Sequence, residues 1–177
     1  MNMQKNIALV TGGYSGEAVI SYKSAKTIYS HLDKQKYNVF LIDISKEGWT
    51  YTDAHDHKQI VDKNDFTLKV DGEKVHFDCV FIGMHGTPGE DGKLQGYFDV
   101  LGIPYTSCSA ATSAITFNKR YTVAVAAFAG INVAKSVHLF EHQPVDVNSI
   151  HLKFPVFVKP NNGGSSIGMS KVSKQED

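Results

Sequence analysis

The stretch at residues 78–101 constrains the fold of this chain more than any other. Residues 79–82 form a short apolar run, as in fully buried strands, and residues 85–96 form a polar loop rich in glycine. Apolar side chains then recur at the spacing of one helical face: Leu94, Tyr97, Phe98 and Leu101. This order of strand, loop and helix is typical of an open α/β sheet, in which ligands bind at the carboxyl ends of the strands.

The loop after this strand carries three groups that could do chemistry, His85, Glu90 and Asp91. In one interpretation the loop lines a ligand site at the edge of the sheet. In the other it is a polar turn whose acids interact favourably with the N-terminus of the next helix. The residues of this loop do not by themselves decide between a ligand site and a polar turn.

A strand–helix–strand unit opens the chain. Residues 7–10 are apolar and end in a glycine turn, Ser15 is the expected N-cap of a helix that continues to about Lys34, and residues 37–44 form a second buried strand. Such a unit predicts a parallel sheet with a right-handed crossover. The glycine turn lacks the GxGxxG spacing, and no Walker lysine follows it, which argues against a dinucleotide or P-loop site.

Glu17 lies in the first turn of this expected helix. Its ordinary role would be a favourable interaction with the helix dipole, worth roughly 0.3–1 kcal/mol. Its functional role would be that of a carboxylate at the carboxyl end of the first strand, facing the same crevice as His85.

Composition excludes several classes of protein. The 177 residues include 18 basic and 18 acidic ones, so the formal charge is zero and neither nucleic acid nor an anionic membrane is favoured as a partner. No apolar run approaches the roughly 18–20 residues of a membrane span, and no secretory pattern opens the chain. Cys79 and Cys108 are too few for a disulfide framework. We therefore expect a cytoplasmic protein.

The middle of the chain is less informative. Residues 49–51 are consistent with a short strand, and residues 66–70 and 73–77, joined by Asp71-Gly72, predict a β-hairpin. The polar segment at residues 53–58 resembles a metal cluster through Asp53, His55 and His57, but its loop-like composition and the lack of further ligands favour a plain loop.

Further elements follow the second helix. Residues 101–107 resemble a short strand, Ser109 is expected to cap a short helix, and Asn118 is expected to open another helix that Gly130 closes. The apolar stripe of that helix consists of Tyr121, Ala124, Val125 and Phe128. Lys119 lies in its first turn, the unfavourable end for a cation, so it either faces a negative group or is solvated.

Residues 133–177 predict three strand-like segments, the last two of them around a flexible turn. Residues 133–140 are strand-like and residues 141–149 loop-like; residues 154–160 and 167–172 then form two strands around a glycine- and serine-rich turn. Backbone N–H groups and hydroxyls of such a turn can cradle phosphate oxygens, and Lys159 could hold a phosphate as a point charge. The alternative is a flexible hairpin with no ligand. Since the last residues look like the start of a helix, we expect the sequence to be a fragment or to contain an unfinished second domain.

Three stretches resemble the D-alanine–D-alanine ligases of the ATP-grasp superfamily. Residues 12–21 are similar to the family's GGxSxExxxS start, residues 85–96 match its HGxxGEDGxLQG signature at every fixed position, and residues 158–171 are similar to its VKPxxxGSSxGxSK stretch. Their order and separation agree with the family, and the resemblance spans nearly the whole chain.

The resemblance implies an α/β fold. A Rossmann-like parallel-sheet domain (pre-ATP-grasp), residues 1–117, would bind substrate, and residues 118–177 would begin an α+β ATP-grasp domain. It also implies a reaction: ATP phosphorylates the carboxylate of one D-alanine, and the amine of a second attacks the acyl phosphate. The product would be D-alanyl-D-alanine for peptidoglycan, and hence for cell-wall biogenesis and cell shape.

The resemblance also implies roles for single residues. Glu17 would bind the ammonium group of the first D-alanine, oriented by Ser165, while His85 and Ser21 would complete the substrate site. Glu90 and Asp91 would brace the loop and cap the next helix. The expected nucleotide-binding residues are Lys119, Lys159, Gly164, Ser165, Ser166 and Gly168. A loop tyrosine, an arginine and the Mg²⁺ ligands belong to the family's later portion and cannot be placed in this chain.

Three alternatives stay open. The parent protein could instead be a D-alanine–D-lactate or D-alanine–D-serine ligase, since these share the motifs. The 177-residue chain could also be a non-catalytic fragment that acts only as a binding module.

The family is commonly dimeric through its N-terminal domain, so we expect a homodimer.

Overall fold

A computed structural model of the chain describes residues 4–176. The chain divides into two compact units, Met1–Ala114 and Ile115–Asp177. The boundary falls within a helix, α3 (Ala110–Phe117).

A five-stranded sheet in the order β4-β3-β2-β1-β7 organises the first unit. β1 (Lys5–Gly12) pairs in parallel with β2 (Tyr37–Ile44) and β7 (Cys79–Ile82), so the predicted parallel sheet is confirmed. The crossover from β1 to β2 is α1 (Ala18–His31), which is shorter than expected at both ends. Ser15 does not cap it: Glu17 occupies the N-cap position, and the Ser15 hydroxyl accepts a hydrogen bond from the Glu17 amide (3.3 Å).

Two short strands extend this sheet beyond β2. β3 (Trp49–Thr52), which confirms the short strand expected at residues 49–51, pairs antiparallel with β2. β4 (Lys58–Ile60) pairs antiparallel with β3 at the edge and had no signal in the sequence. The sheet is therefore mixed, with its parallel part formed by β2, β1 and β7.

The predicted β-hairpin is present as β5 (Leu68–Val70) and β6 (Glu73–Val75). Both turn residues have positive φ, 49° at Asp71 and 87° at Gly72, which is what a two-residue type I′ turn requires. Phe66, Leu68 and Phe77 are buried in the hydrophobic core, so this excursion closes one side of the core.

The third parallel strand leads into α2 (Lys93–Leu101), as the periodicity predicts. Leu94 and Phe98 are buried in the core, and Gly102 closes the helix with a φ of 67°. The strand expected at residues 101–107 is only an isolated bridge between Tyr105 and Val80. The Ser109 hydroxyl accepts a hydrogen bond from the Thr112 amide (3.3 Å), which confirms its role as a cap of α3.

In the second unit, α4 (Lys119–Phe128) begins where Asn118 predicts, and the Asn118 side chain accepts from the Tyr121 amide (3.0 Å). Gly130 follows the helix with a φ of 77°, as expected. However, the apolar stripe of α4 is not a buried face, since Tyr121, Val125 and Phe128 are all exposed.

The two predicted strands at the end of the chain are confirmed as an antiparallel pair, β8 (Val156–Val158) and β9 (Ser170–Val172). The strand expected at residues 133–140 is wrong, because this segment is irregular and has no strand partner. A single 3-10 turn, Val147–Ser149, interrupts the loop before β8. No helix within residues 4–176 has both the length and the apolar character of a membrane span.

Candidate functional site

Three polar side chains lie along one face of α1 and its N-terminus. Glu17, Ser21 and Ser24 are spaced at i, i+4 and i+7, so they form one stripe on the helix. Glu17 has 3% of its surface exposed and Ser21 none, which is unusual for a carboxylate and a hydroxyl near a helix start. Glu17 and Ser21, which belong to the stretch at residues 12–21, are thus buried and not exposed to solvent.

The second motif approaches this stripe through Gly86. Its φ is 74°, and a Cβ atom placed on it would lie 2.5 Å from both Glu17 Oε2 and the Ser15 hydroxyl. Only a glycine can bring its backbone so close to the carboxylate. Glu17 and the loop after β7 are therefore neighbours, as their positions at the ends of parallel strands predict.

His85 is attached to α1 at two points. Its backbone amide donates to Ser21 Oγ (2.9 Å), and Ser21 Oγ itself donates to the Glu17 carbonyl (3.4 Å). Its ring Nε2 lies 2.8 Å from Ser24 Oγ. The ring is half-buried, so the helix fixes its orientation while part of it stays accessible.

The acids of the loop make internal contacts. Glu90 Oε2 accepts from the Gly86 amide (2.6 Å), and Asp91 Oδ2 accepts from the Thr87 hydroxyl (2.6 Å). Lys93 donates to both Asp91 and Thr87. These bonds hold the loop in shape, as expected for Glu90 and Asp91. The expected capping is wrong, because the N-cap of α2 is Gly92 and no side chain makes a cap hydrogen bond there.

The first loop also contacts the antiparallel extension of the sheet. The Tyr14 amide donates to the Thr87 carbonyl (2.8 Å), and the Trp49 indole N–H donates to the Tyr14 hydroxyl (3.0 Å). Trp49 packs edge-on against Tyr97, whose hydroxyl donates to the Lys63 carbonyl (2.7 Å). Burial raises the pKa of Tyr97 to about 12.

A second cluster lies in the second unit, where α4 begins. Lys119 Nζ donates to the Gly163 carbonyl (2.7 Å), and the Lys119 amide donates to the Asn161 carbonyl (3.0 Å). The Asn161 side chain accepts from the Arg120 amide (2.9 Å). The first turn of α4 is thereby joined to the glycine- and serine-rich turn, and Lys119 faces carbonyl oxygens instead of bulk water.

That turn has an unusual backbone. Four of its residues have positive φ: Gly163 (132°), Ser165 (50°), Ser166 (57°) and Gly168 (70°). Left-handed conformations at non-glycine residues are strained and concentrate at ligand-binding turns. Ser165 and Ser166 are exposed, and so is Lys159, which follows β8 directly. Backbone amides and hydroxyls of turns with such conformations can bind phosphate oxygens.

The described residues contain no group of three or more His, Cys, Asp or Glu side chains arranged to hold a metal ion. In the segment at residues 53–58, Asp53 instead accepts hydrogen bonds from the amides of His55 (2.8 Å) and His57 (2.9 Å). This is an Asx-type turn, in agreement with the plain-loop interpretation.

The structure thus brings together Glu17, Ser21 and His85 in the first unit, and Lys119 and the turn at residues 163–168 in the second. The site roles of all these residues, and of Lys159, stay predictions. Sequence reasoning missed Ser24, Trp49 and Asn161. Ser24 had a signal, since it continues the polar stripe of Glu17 and Ser21; the other two act through contacts that no spacing reveals.

Family models agree with this division of the chain. The family model described as "D-ala D-ala ligase N-terminus" matches residues 6–108, and that described as "D-ala D-ala ligase C-terminus" matches residues 117–177. A D-alanine--D-alanine ligase of Flavobacterium johnsoniae is 49% identical over 175 residues, covering 98% of this chain and 54% of the relative. One of Parabacteroides distasonis is 47% identical over 97% of this chain and 53% of the relative.

Solved structures give the same result. The D-alanyl-alanine synthetase A of Vibrio cholerae superposes with a TM-score of 0.86 at 29% identity, covering 99% of this chain and 54% of that one. The VanG D-Ala:D-Ser ligase of Enterococcus faecalis superposes with a TM-score of 0.79 at 27% identity, covering 98% and 57%. The chain spans about half the length of the curated relatives it matches.

Proposed function

The chain belongs to the D-alanine–D-alanine ligase family, and from this premise we propose that it contributes the first-substrate site and the start of the nucleotide site of an ATP-dependent ligase. The reaction joins two D-alanines into D-alanyl-D-alanine for peptidoglycan. The observation that carries the proposal is the buried carboxylate of Glu17 held against Gly86 beside His85.

Glu17 and His85 suit the two ends of an amino acid. A carboxylate that is almost fully buried binds an ammonium group through a charge-assisted hydrogen bond, which is stronger than a neutral one. The half-buried imidazole of His85 can donate to the substrate carboxylate. We place the first D-alanine between these groups, with Ser21 holding the His85 backbone.

The second unit suits the phosphates of ATP. Lys119 and Lys159 supply positive charge, while Gly164, Ser165, Ser166 and Gly168 belong to the strained turn whose amides and hydroxyls would bind the β- and γ-phosphates. Phosphoryl transfer depends on positioning and on neutralising charge more than on covalent help from the protein. These residues supply both functions.

Two chemical steps result from this placement. A carboxylate oxygen of the first D-alanine attacks the γ-phosphorus of ATP, ADP leaves, and an acyl phosphate forms. The amine of the second D-alanine then attacks the acyl carbon; the amide bond forms, phosphate leaves and the amine gives up a proton. Magnesium neutralises phosphate charge in such transfers. The described residues contain no metal-binding cluster, so they do not form a magnesium site by themselves.

A second candidate is a ligase that takes another second substrate. The similarity to a D-Ala:D-Ser ligase favours D-serine, and D-lactate is the further alternative. A third is a binding module without catalysis. All three keep the first D-alanine at Glu17, so they differ only in the steps after D-alanine has bound.

We further propose that the protein is a cytoplasmic homodimer. Analytical ultracentrifugation would measure the mass of the assembly.

The proposal is tested with the chain itself and with a chimera. The 177-residue chain is expected to bind D-alanine in calorimetry without turning it over. Joined to the remaining portion of the Flavobacterium johnsoniae relative, it is expected to release phosphate only when ATP, Mg²⁺ and D-alanine are all present. D-Serine or D-lactate as second substrate separates the ligase candidates, and binding without turnover by the chimera would favour the binding module.

Glu17→Gln is the decisive variant. Because it removes the charge but keeps the shape, we expect kcat/KM for D-alanine in the chimera to fall about ten- to a hundredfold, as for the loss of a charged hydrogen bond. Glu73→Gln, which changes an exposed carboxylate of the hairpin, is the matched control and should leave kcat/KM unchanged. Equal kcat/KM for wild type and Glu17→Gln would overturn the assignment.

A further inference from the structure

Ser24 lies outside the three family motifs, yet it is the side chain that contacts the ring of His85. The distance between Ser24 Oγ and His85 Nε2 is 2.8 Å, which is an ordinary hydrogen-bond length. A serine hydroxyl can donate or accept, and a neutral imidazole has one nitrogen that donates and one that accepts. The direction of this one bond therefore determines which ring nitrogen carries the proton.

The other serine and threonine hydroxyls of α1 differ from Ser24 in their partners. Helical Ser and Thr side chains often donate back to a carbonyl of the preceding turn. Ser21 donates to the Glu17 carbonyl (3.4 Å), Thr27 to the Lys23 carbonyl (3.3 Å), and Ser30 to the Thr27 carbonyl (2.8 Å). Within residues 4–176, the only hydrogen-bond partner of the Ser24 hydroxyl is His85 Nε2.

An accepting Ser24 would leave its own proton without a protein acceptor, whereas a donating Ser24 pairs that proton and leaves the Nδ1 proton of His85 to the substrate carboxylate that we place beside the ring. We propose that Ser24 is a positioning residue that donates to Nε2 and holds neutral His85 as the Nδ1–H tautomer. The imidazole then presents an N–H donor to the carboxylate of the first substrate without first becoming an imidazolium. This inference rests on the proposed function, because the substrate carboxylate is the acceptor for the Nδ1 proton.

The fixed backbone makes the effect specific to the ring. Ser21 anchors the His85 amide, so the loop stays in place when Ser24 changes. Ser24 is half-buried on a largely exposed helix, and its substitution by alanine removes a hydroxyl without opening a core cavity. Loss of the Ser24 hydroxyl should therefore change the tautomer and rotamer of His85 more than the fold.

The tautomer is measured by nitrogen-15 NMR of the imidazole rings in the 177-residue chain without ligand, about two pH units above the ordinary histidine pKa of about 6.5. The eight histidines are resolved by comparison with His85→Gln. We expect protonated Nδ1 and unprotonated Nε2 in the wild type, and predominantly Nε2–H in Ser24→Ala. Ser24→Thr, which keeps a hydroxyl, should restore the wild-type pattern.

A wild-type spectrum dominated by Nε2–H would overturn the proposal, and this result does not depend on whether Ser24→Ala folds. An identical tautomer in wild type and Ser24→Ala would overturn it too. Calorimetry with D-alanine adds the substrate arm, in which Ser24→Ala is expected to bind about three- to tenfold more weakly. If the wild type does not bind D-alanine while the tautomer is as expected, the proposed function fails and the positioning role stands.

Discussion

Gly86 shows how a single residue determines whether the site can exist. Its positive φ and the proximity of Glu17 Oε2 are two separate demands, one of conformation and one of space. Gly72, in the hairpin turn, has a similar φ of 87°, but a Cβ atom placed on it would meet nothing within 4 Å, so Gly72 meets only the first demand. Comparing substitutions at Gly72 and Gly86 therefore separates the cost of backbone strain from the cost of steric crowding.

We predict that Gly72→Ala lowers the free energy of unfolding by about 1 kcal/mol, the cost of a left-handed backbone at a non-glycine residue. Gly86→Ala should lose about 1–3 kcal/mol more, because its methyl group must displace the Glu17 carboxylate or the Ser15 hydroxyl. Urea unfolding of both variants measures the difference. Equal losses of unfolding free energy would show that the loop around Gly86 relaxes and that crowding against Glu17 and Ser15 costs nothing.

At the scale of elements, a hydrogen bond from the Trp49 indole to the Tyr14 hydroxyl connects the antiparallel strand β3 to the loop after β1. Trp49→Phe and Tyr14→Phe each remove it while keeping a ring. We predict that each variant loses about 0.5–1.5 kcal/mol of unfolding free energy. The double variant should lose less than the sum, because both substitutions delete the same bond. Additive losses would mean that the rings contribute through packing alone.

The elements differ in how far the sequence determines them. β1, β2, β7, α2 and the β5–β6 hairpin follow from apolar periodicity and turn residues, because each buries a face that its own pattern defines. β4 and the irregular segment at residues 133–140 do not follow from the sequence pattern. Whether a segment forms a strand depends on a neighbouring strand to pair with, and that neighbour is determined by the tertiary structure. Likewise Glu17 and His85 could be selected from their motifs, whereas Trp49 and Asn161 act through distant contacts.

At the scale of the molecule, ionisation of tyrosines whose pKa values are raised should lower stability at alkaline pH. Burial is the first cause that raises the pKa of Tyr22, Tyr51, Tyr97 and Tyr105, with Tyr97 reaching about 12. A raised folded-state pKa means that the unfolded chain loses its proton first, near pH 10. The stability contributed by Tyr97 is therefore complete below about pH 10 and is lost as pH rises towards 12.

We predict that the urea midpoint of the wild type is nearly constant around pH 8 and falls above about pH 10. Tyr97→Phe should be less stable at pH 8, since it loses the hydrogen bond to the Lys63 carbonyl, but its midpoint should fall less steeply above about pH 10. Parallel pH curves for the two proteins would contradict the assignment to Tyr97.

The Trp49–Tyr14 hydrogen bond has one more consequence. Trp49 is the only tryptophan in the 177 residues, and its indole is joined through Tyr14 to the backbone of Thr87, two residues beyond His85. The protein therefore carries its own fluorophore close to the loop that we assign to the first substrate. A movement of that loop on ligand binding would change the hydrogen bond of the indole N–H, so tryptophan fluorescence can test binding at the proposed site without an attached dye.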